Sequence, residues 1–429
     1  MNSRSALALR RGLVFFFVLV IVEGAIRKWL FPQHQQLVYL LKDVWLLILM
    51  GVYVLAQKTG SIEGVRGTGA GVFLLLYIGW VVLESFNPAL PSLTLGLWGI
   101  RSHILYAGLV WLVPAAFRSC EAVENWLRAL PLLAIPVLSL GVAQFLSPPG
   151  SFINRYASGS NDVATFGHMG AARVSGTFPY ISGMVVFVFA VALVALVLLL
   201  AGERGRRWRV WFGLTLAVVV MPMTGARSIA YVWALVLPIL TWEMCTLFPA
   251  FGGRLVRILV GLAIVGLPIG IVSGEAINAL AERASGSSDF DGRVRQTLVQ
   301  PMDFYFDSGL VGYGAGSTHQ AATALVPDRP AYDWLPTSVF EGESGRLMLE
   351  LGLVGFIIVL ALKLSWILLA HAALRRARTH AQFVISMTAL GFFVAHFASS
   401  VVFDATAGAC YWGFAGALAC VVREEFAHS

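Results

Sequence analysis

Long apolar runs separated by shorter polar stretches extend along almost the whole chain. A helix needs about 20 apolar residues to cross the hydrocarbon core of a bilayer, and runs close to that length recur here. The pattern predicts an all-α polytopic membrane protein with about twelve crossings. They fall near residues 12–30, 37–56, 69–86, 94–116, 126–146, 179–200, 208–222, 227–248, 255–273, 346–370, 382–403 and 407–422.

Two polar segments, 147–178 and 274–345, are much longer than the other connections. The larger one separates the ninth and tenth predicted crossings and collects arginines, carboxylates and a glycine-rich stretch. We therefore treat residues 1–429 as one integral membrane domain and expect segment 274–345 to be its catalytic loop.

Composition and charge agree with this picture. With 58% hydrophobic and 12% charged residues and a mean hydropathy of +0.79, the chain has too little polar surface for a soluble globule of 429 residues. Arginine and lysine concentrate in alternate short loops, which favours a cytoplasmic location for those loops. Both termini are then cytoplasmic and both long polar segments lie outside. The net charge of +7 is a topology signal and does not indicate nucleic-acid binding.

Three motifs of soluble enzymes are poor matches. Asp289-Phe290-Asp291 has the D-x-D form that holds a metal against a nucleotide-sugar, but it is predicted to lie outside, where nucleotide-sugars are scarce. The stretch 312–316 has no surrounding βαβ unit, so it is predicted to be a backbone turn. A Ca²⁺ loop from Asp289 would lack the acid twelve positions on. The four cysteines show no paired spacing. The sequence therefore predicts no metal, cofactor or disulfide.

Charged residues within apolar spans are costly, so their positions are informative. Glu23 and Arg27 are four residues apart on one helix face, and Lys42 and Asp43 lie at the same side of the next crossing. These residues either neutralise one another to fix helix packing or serve function.

A second charged group begins the helix after the large loop. Glu343, Arg346 and Glu350 have i, i+3, i+7 spacing and share one helix face. They form either a salt-bridged helix start, in which the helix dipole favours the acids, or an acid and base cluster that faces a cavity.

Four motifs together resemble the O-antigen ligase and Wzy polymerase superfamily of integral-membrane GT-C glycosyltransferases. Arg173-Val174-Ser175-Gly176-Thr177-Phe178 is similar to its R-x-x-G-T-F, and Thr224-Gly225-Ala226-Arg227 to its T-G-S-R turn. Gly292-Arg293 followed by Gly312-Tyr313-Gly314 resembles its arginine helix and G-x-G turn. Glu350-Leu351-Gly352-Leu353-Val354-Gly355 matches its E-L-G-x-x-G. The order of these motifs, and a large loop between helices 9 and 10, are also similar.

The resemblance implies transfer of a glycan from undecaprenyl diphosphate to an acceptor hydroxyl, without metal or cofactor, at the outer face of the bacterial inner membrane. The leaving lipid diphosphate requires cations, and arginine binds phosphate oxygens through its planar fork. The candidates for this role are Arg173, Arg227, Arg293 and Arg295. Supporting roles are expected for Arg346, Glu350, Arg27 and Lys42.

The chain departs from the family at the expected catalytic base. A family His-Asn pair lies about nine residues before the E-L-G glutamate, and Glu341 occupies that position here. A carboxylate desolvated at the membrane boundary can accept a hydroxyl proton, so Glu341 and Glu343 are candidates. His319, in the same loop, is the third.

Glu23-Gly24-Ala25-Ile26-Arg27-Lys28-Trp29 and Lys42-Asp43 resemble a subgroup associated with exopolysaccharide synthesis, which favours a polymerase of lipid-linked repeat units. An O-antigen ligase, with lipid A core or protein as acceptor, is the alternative, and a precursor transporter or flippase is the second. The expected partners are undecaprenyl-diphosphate-linked oligosaccharide and membrane lipids, with flippase and chain-length regulator proteins as further candidates.

Overall fold

The computed structural model describes residues 3–56, 65, 67–157, 163–166, 170–202, 207–248, 261, 292, 295–330, 332–340 and 342–427. These residues are predominantly helical, with no β-strand in the described ranges. The longer helices are α1 (Ser3–Ala25), α2 (Gln35–Ala56), α3 (Gly69–Glu84), α4 (Leu93–Ile104), α5 (Leu109–Ala116), α6 (Cys120–Leu146), α7 (Ile181–Leu200), α8 (Arg207–Met223), α9 (Ser228–Leu247), α10 (Gln300–Ser308), α12 (Glu343–Arg376), α13 (His380–Ala395) and α14 (Ala405–Ala427). The short helix α11 is Ala322–Leu325, and π-helical turns Ile26–Leu30 and Arg295–Val299 adjoin α1 and α10.

The described part contains 8 helical segments long and apolar enough to cross a membrane. Two shorter apolar helices, Gly69–Glu84 and His380–Ala395, accompany them. The chain is thus a helical, multi-pass membrane protein, as predicted. Twelve crossings stay a prediction, because the ninth, 255–273, lies outside the described residues except for residue 261, as does the first part of segment 274–345, residues 274–291.

Local capping explains where several helices differ from the predicted bounds. Helix α6 begins at Cys120 and not at 126, because the Ser119 side chain accepts a hydrogen bond from Ala122 N at 3.3 Å. Thr379 and Gln382 form a capping box at the start of α13. The predicted crossing 94–116 is a single span built from α4 and α5, joined by the 3₁₀ turn Leu105–Gly108.

Helix α12 is broken at Gly352, where φ is +63°. Segment 309–314 fills the break: Tyr313 N and Gly314 N donate to the carbonyls of Leu349 and Glu350 at 2.8 and 3.0 Å. A Cβ on Gly352 would lie 2.4 Å from the Leu310 carbonyl, so the close approach requires glycine. The glycine-rich stretch is therefore a backbone turn, as predicted, and it is tied to the E-L-G motif.

Two buried helices form the centre of the bundle, and one end of the bundle collects the polar segments. Helices α7 and α14 are buried along most of their length. Helix α7 packs against α8 and α6, and α14 packs against α5 and α13. One end of the bundle, which we call the loop end, contains the described parts of both long polar segments. The ends of α1 and α13 and the starts of α9, α12 and α14 also lie there. The candidate site lies there.

Candidate functional site

A cavity of about 730 Å³ opens at the loop end between α7, α9 and the turn that follows α13. Arg173, Arg227 and Asp404 line its polar part. Its apolar wall follows one face of α7 and one face of α9, at helical spacing. The wall residues are Ile181, Val185, Val186 and Phe189 from α7, and Ile229, Val232 and Leu235 from α9. The cavity thus combines cations with an apolar wall.

Arg173 is held by the end of α8. Its Nε donates to the Thr224 carbonyl at 3.0 Å, and the next residue, Val174, donates from its N–H to the Met223 carbonyl at 3.1 Å. Gly225 has φ +63°, and a Cβ there would lie 2.7 Å from Arg173 Nε. The R-x-x-G-T-F and T-G-A-R motifs, 51 residues apart at the Arg173–Thr224 contact, therefore meet in space.

Arg227 lies at the start of α9, as the last residue of the T-G-A-R turn that joins α8 to α9. It lines the same cavity as Arg173. The structure thus brings two of the four predicted diphosphate ligands together. Arg293 lies outside the described residues. Arg295 is exposed at the start of the π-helical turn, and Thr297 of that turn lines the cavity.

The end of α1 and the π-helical turn that follows it contact the segment that carries Arg173. Lys28 Nζ donates to the Gly176 carbonyl at 2.6 Å and to Ser175 Oγ at 3.1 Å. Thr177 Oγ1 donates to the Ile21 carbonyl at 2.6 Å. Segment 23–29 therefore binds the segment that carries Arg173. The two segments are far apart in the sequence, so this contact was not predicted.

Arg27 and Lys42 take the neutralising role that the sequence left open. Both bond to Glu23, at 3.0 and 2.6 Å, and both lie next to the Tyr39 ring. The partner of Asp43 is not Lys42 but Arg101, together with the Tyr106 hydroxyl. This network joins α1, α2 and α4 at the loop end.

Glu343 borders the cavity, but its carboxylate is already engaged. It accepts from Lys363 Nζ at 2.8 Å, from Ser400 Oγ at 3.1 Å, and from the backbone N–H groups of Val401 and Val402. The side chain is 2% exposed. Lys363 also donates to the carbonyls of residues 397 and 399, so the pair fixes the turn after α13. We call this pair the Glu343–Lys363 clamp.

Asp404 is the carboxylate that sequence reasoning did not include in the site. It lines the cavity, and its Oδ1 accepts from the backbone N–H groups of Thr406 and Ala407 at 2.9 and 3.0 Å. In the sequence an aspartate in this position is simply a helix N-cap. Only the fold places it in the same cavity lining as Arg173 and Arg227.

Glu343, Arg346 and Glu350 share a helix face but do not bond to one another in the described structure. Glu350 is fully buried and accepts from His103 Nε2 at 2.8 Å and from Gly316 N at 2.9 Å. Arg346 donates to Thr318 through Oγ1 and the carbonyl, at 3.0 and 2.9 Å. A salt bridge among these three residues, one of the two alternatives, is therefore wrong: Glu343 pairs with Lys363, whereas Arg346 and Glu350 both bond to segment 316–318.

His319 lies outside the large cavity. It stacks on Trp98 and lines a smaller pocket with Arg101 and Arg346. Burial, supported by the positive charges of Arg101 and Arg346, lowers the His319 pKa to about 4, although Glu350 opposes the shift. Its Nδ1 accepts from Ala321 N at 3.0 Å, so neutral His319 carries its proton on Nε2. Glu341, the remaining candidate base, is outside the described residues.

No protein-family model and no curated protein matches this chain. Within the described residues, no group of three or more His, Cys, Asp and Glu side chains is arranged to hold a metal ion. The site offers two arginines and two carboxylates, those of Glu343 and Asp404, in the lining of a cavity that also has an apolar wall.

Proposed function

We propose that the chain is an integral-membrane glycosyltransferase of the O-antigen ligase and Wzy superfamily that polymerises undecaprenyl-diphosphate-linked repeat units. The observation that carries the proposal is the shared cavity of Arg173 and Arg227, with its apolar wall along α7 and α9. A lipid diphosphate needs both parts, since its headgroup is anionic and its chain is apolar. The reaction takes place at the outer face of the inner membrane, and both termini are cytoplasmic.

The arginines supply the charge that the reaction needs. As the bond between the anomeric carbon and the phosphate oxygen breaks, negative charge grows on the departing diphosphate. Fixed guanidinium groups in a site of low dielectric stabilise that charge more than they stabilise the bound donor. Arg173 is preorganised by its bond to Thr224, so little reorganisation is needed during the reaction. Arg293 and Arg295 remain further candidate ligands of the same diphosphate.

A carboxylate takes the proton from the acceptor hydroxyl as its oxygen bonds to the anomeric carbon. Two described carboxylates line the cavity, those of Glu343 and Asp404. Glu343 accepts four hydrogen bonds, one of them from Lys363, whereas the side-chain bonds of Asp404 in the described structure use one oxygen, Oδ1. Asp404 therefore joins Glu343 and Glu341 as a candidate base, whereas His319 lies outside this cavity and its Nδ1 is occupied by the Ala321 N–H. Direct displacement inverts the anomeric carbon.

The test uses the purified, lipid-reconstituted protein and its host's undecaprenyl-diphosphate oligosaccharide in the presence of chelator. A product ladder is the expected result. Arg173→Ala and Arg227→Ala should each abolish it while membrane insertion is retained, and exposed Arg155, changed to Gln, is the matched control. Full activity in both alanine variants overturns the assignment of the cavity.

The acceptor separates polymerase from ligase. Transfer that appears only when lipid A core or protein is added would make the chain a ligase with the same donor cavity. No transfer to any acceptor would contradict a transferase and favour the transport alternative.

A further inference from the structure

A second, smaller pocket lies at the loop end on the other side of segment 402–405. Val402, Phe403 and Ala405 line this pocket, whereas Asp404 lines the large cavity. The opposite wall is built by Arg101 from α4, by His319, and by Arg346 from α12. One short segment thus separates two arginine-lined pockets.

Each arginine in the smaller pocket is held along one edge only. Arg101 directs Nε and Nη2 to Asp43, and Arg346 directs Nε and Nη2 to Thr318. Within the described part of the chain, the Nη1 atoms of Arg101 and Arg346 have no hydrogen-bond partner. Five N–H donors in a planar fork allow a guanidinium to bind a structural partner and a ligand at once.

Stacking fixes both guanidinium planes before any ligand arrives. Arg101 lies over the rings of Tyr39 and Trp98, at 4.5 and 4.8 Å, and Arg346 lies over the Phe403 ring at 3.5 Å. Arg101 is only 16% exposed. Preorganised and partly desolvated arginines bind an anion at a lower entropic cost than mobile surface lysines.

The remaining polar groups of the pocket also favour an acceptor-rich ligand. Neutral His319 presents Nε2–H, because its Nδ1 is taken by the Ala321 N–H. The Tyr106 hydroxyl is committed to Asp43, and the carboxylates of Asp43 and Glu350 are occupied by their own donors. The charged or committed groups left for a ligand, on Arg101, Arg346 and His319, are thus donors, and the Tyr39, Ser102 and Gln320 side chains that complete the lining can donate as well.

The size of the pocket limits the ligand to a single small group. Its volume is about 60 Å³. By a measure in which one water needs about 10–15 Å³, this space holds roughly four waters. A phosphate or the carboxylate end of an acidic sugar matches that space.

We propose that Arg101 and Arg346 form an oxyanion-binding pocket that takes one carboxylate or phosphate group of the acceptor. The assignment to the acceptor rests on the proposed function, since the donor diphosphate occupies the cavity across segment 402–405. Binding of the oxyanion by itself does not depend on transfer. The anion can come from either of two sources, an acidic sugar of the acceptor glycan or the phosphate of a lipid-linked acceptor.

The experiment measures the thermal unfolding midpoint of the full chain in detergent at constant ionic strength, without transfer. Glucuronate and inorganic phosphate are the anionic probes, and glucose is the neutral control. We expect at least one anion, and not glucose, to raise the midpoint in a saturable way. A response to glucuronate assigns the pocket to an acidic sugar, and a response to phosphate alone assigns it to a lipid phosphate.

Variants place the ligand in the pocket. Arg346→Gln should weaken the response about tenfold or more, the loss expected for one charge-assisted hydrogen bond. Arg346→Lys keeps the charge but not the fork and should give an intermediate loss, and Arg155→Gln should respond as the parent does. Arg227→Ala should keep the response, which separates this pocket from the donor cavity. An unchanged response in Arg346→Gln, or no response of the parent chain to either anion, overturns the proposal.

Discussion

At the scale of single residues, the site depends on one close contact between two motifs. Gly225 has a positive φ and leaves room for Arg173 Nε, which lies 2.7 Å from the position of a Cβ. Gly225→Ala should therefore displace Arg173 and strain the turn, at a cost of about 1–3 kcal/mol. We expect transfer to fall far more than the unfolding midpoint does, measured as initial rate and thermal unfolding of the same preparation.

The matched control for this variant is Gly79→Ala in α3, where nothing lies within 4 Å of a new Cβ. That change should leave the rate unchanged and raise helix stability slightly, since alanine is the better helix former. Equal rates in Gly225→Ala and Gly79→Ala would contradict a role for the position of Arg173.

A second residue-scale expectation concerns pH. The pKa of His319 is about 4 in the folded protein, against 6.5 for an unperturbed histidine. Between these two pH values the unfolded chain binds a proton that the folded protein does not. The free energy of unfolding therefore rises with pH from about 4 to 6.5, and above 6.5 the contribution of His319 to it is complete. The contribution is at most about 3 kcal/mol.

His319→Gln should flatten the pH dependence of the unfolding midpoint across that window. His34, an exposed histidine at the loop end, provides the control, because His34→Gln removes a histidine that is open to solvent. The same slope in the His319→Gln variant and the parent chain would show that His319 titrates normally.

At the scale of elements, the Glu343–Lys363 clamp connects α12 to the turn after α13. Lys363→Met leaves a buried carboxylate without its cation, and such a loss destabilises a protein by about 3–5 kcal/mol. The turn at 397–402 should move, and transfer should fall, because this turn forms part of the cavity wall. Unfolding midpoints and transfer rates of the single variants measure both effects.

A double variant distinguishes a structural role of Glu343 from a role as the catalytic base. Glu343→Gln with Lys363→Met removes both charges, so stability and part of the activity should return if the pair acts structurally. If Glu343 takes the acceptor proton, the double variant stays inactive although its stability recovers.

Elements were also the part of the fold that the sequence predicted best. Apolar length was sufficient to locate α7, and the turn at Thr224–Arg227 was expected from its T-G-A-R motif. The break at Gly352 was not foreseen, because E-L-G-x-x-G lies within a continuous apolar run and glycine is tolerated in helices. The backbone of segment 309–314, distant in the sequence, makes the break possible.

The candidate site was predictable only in part, for a similar reason. The resemblance of their motifs to R-x-x-G-T-F and T-G-S-R indicated Arg173 and Arg227, which do line one cavity. Asp404 resembled an ordinary helix cap, and the partner of Glu343 lies in the middle of a predicted crossing, where Lys363 gave no sign of reaching a loop. Contacts between distant segments decide which polar residues share a cavity, and hydrophobic periodicity carries no information about them.

At the scale of the whole molecule, the proposed sites are confined to one end. The large cavity, the oxyanion pocket and the clamp all lie at the loop end, whereas Arg375, Arg376 and Arg378 lie at the other. This asymmetry suits a protein that meets its lipid-linked substrates on one side of the membrane. It gives the predicted orientation a direct test.

Cysteine labelling can measure that orientation. Asp328 is exposed at the loop end and Arg378 is exposed at the opposite end, so Asp328→Cys and Arg378→Cys form a matched pair. Both are made in a Cys245→Ala background, since Cys245 is the native cysteine with an exposed side chain. In intact spheroplasts a membrane-impermeant maleimide should label Asp328→Cys, and it should label Arg378→Cys only after permeabilisation. The reverse pattern would place the arginine-lined cavity in the cytoplasm, where extracytoplasmic glycan polymerisation by this chain is impossible.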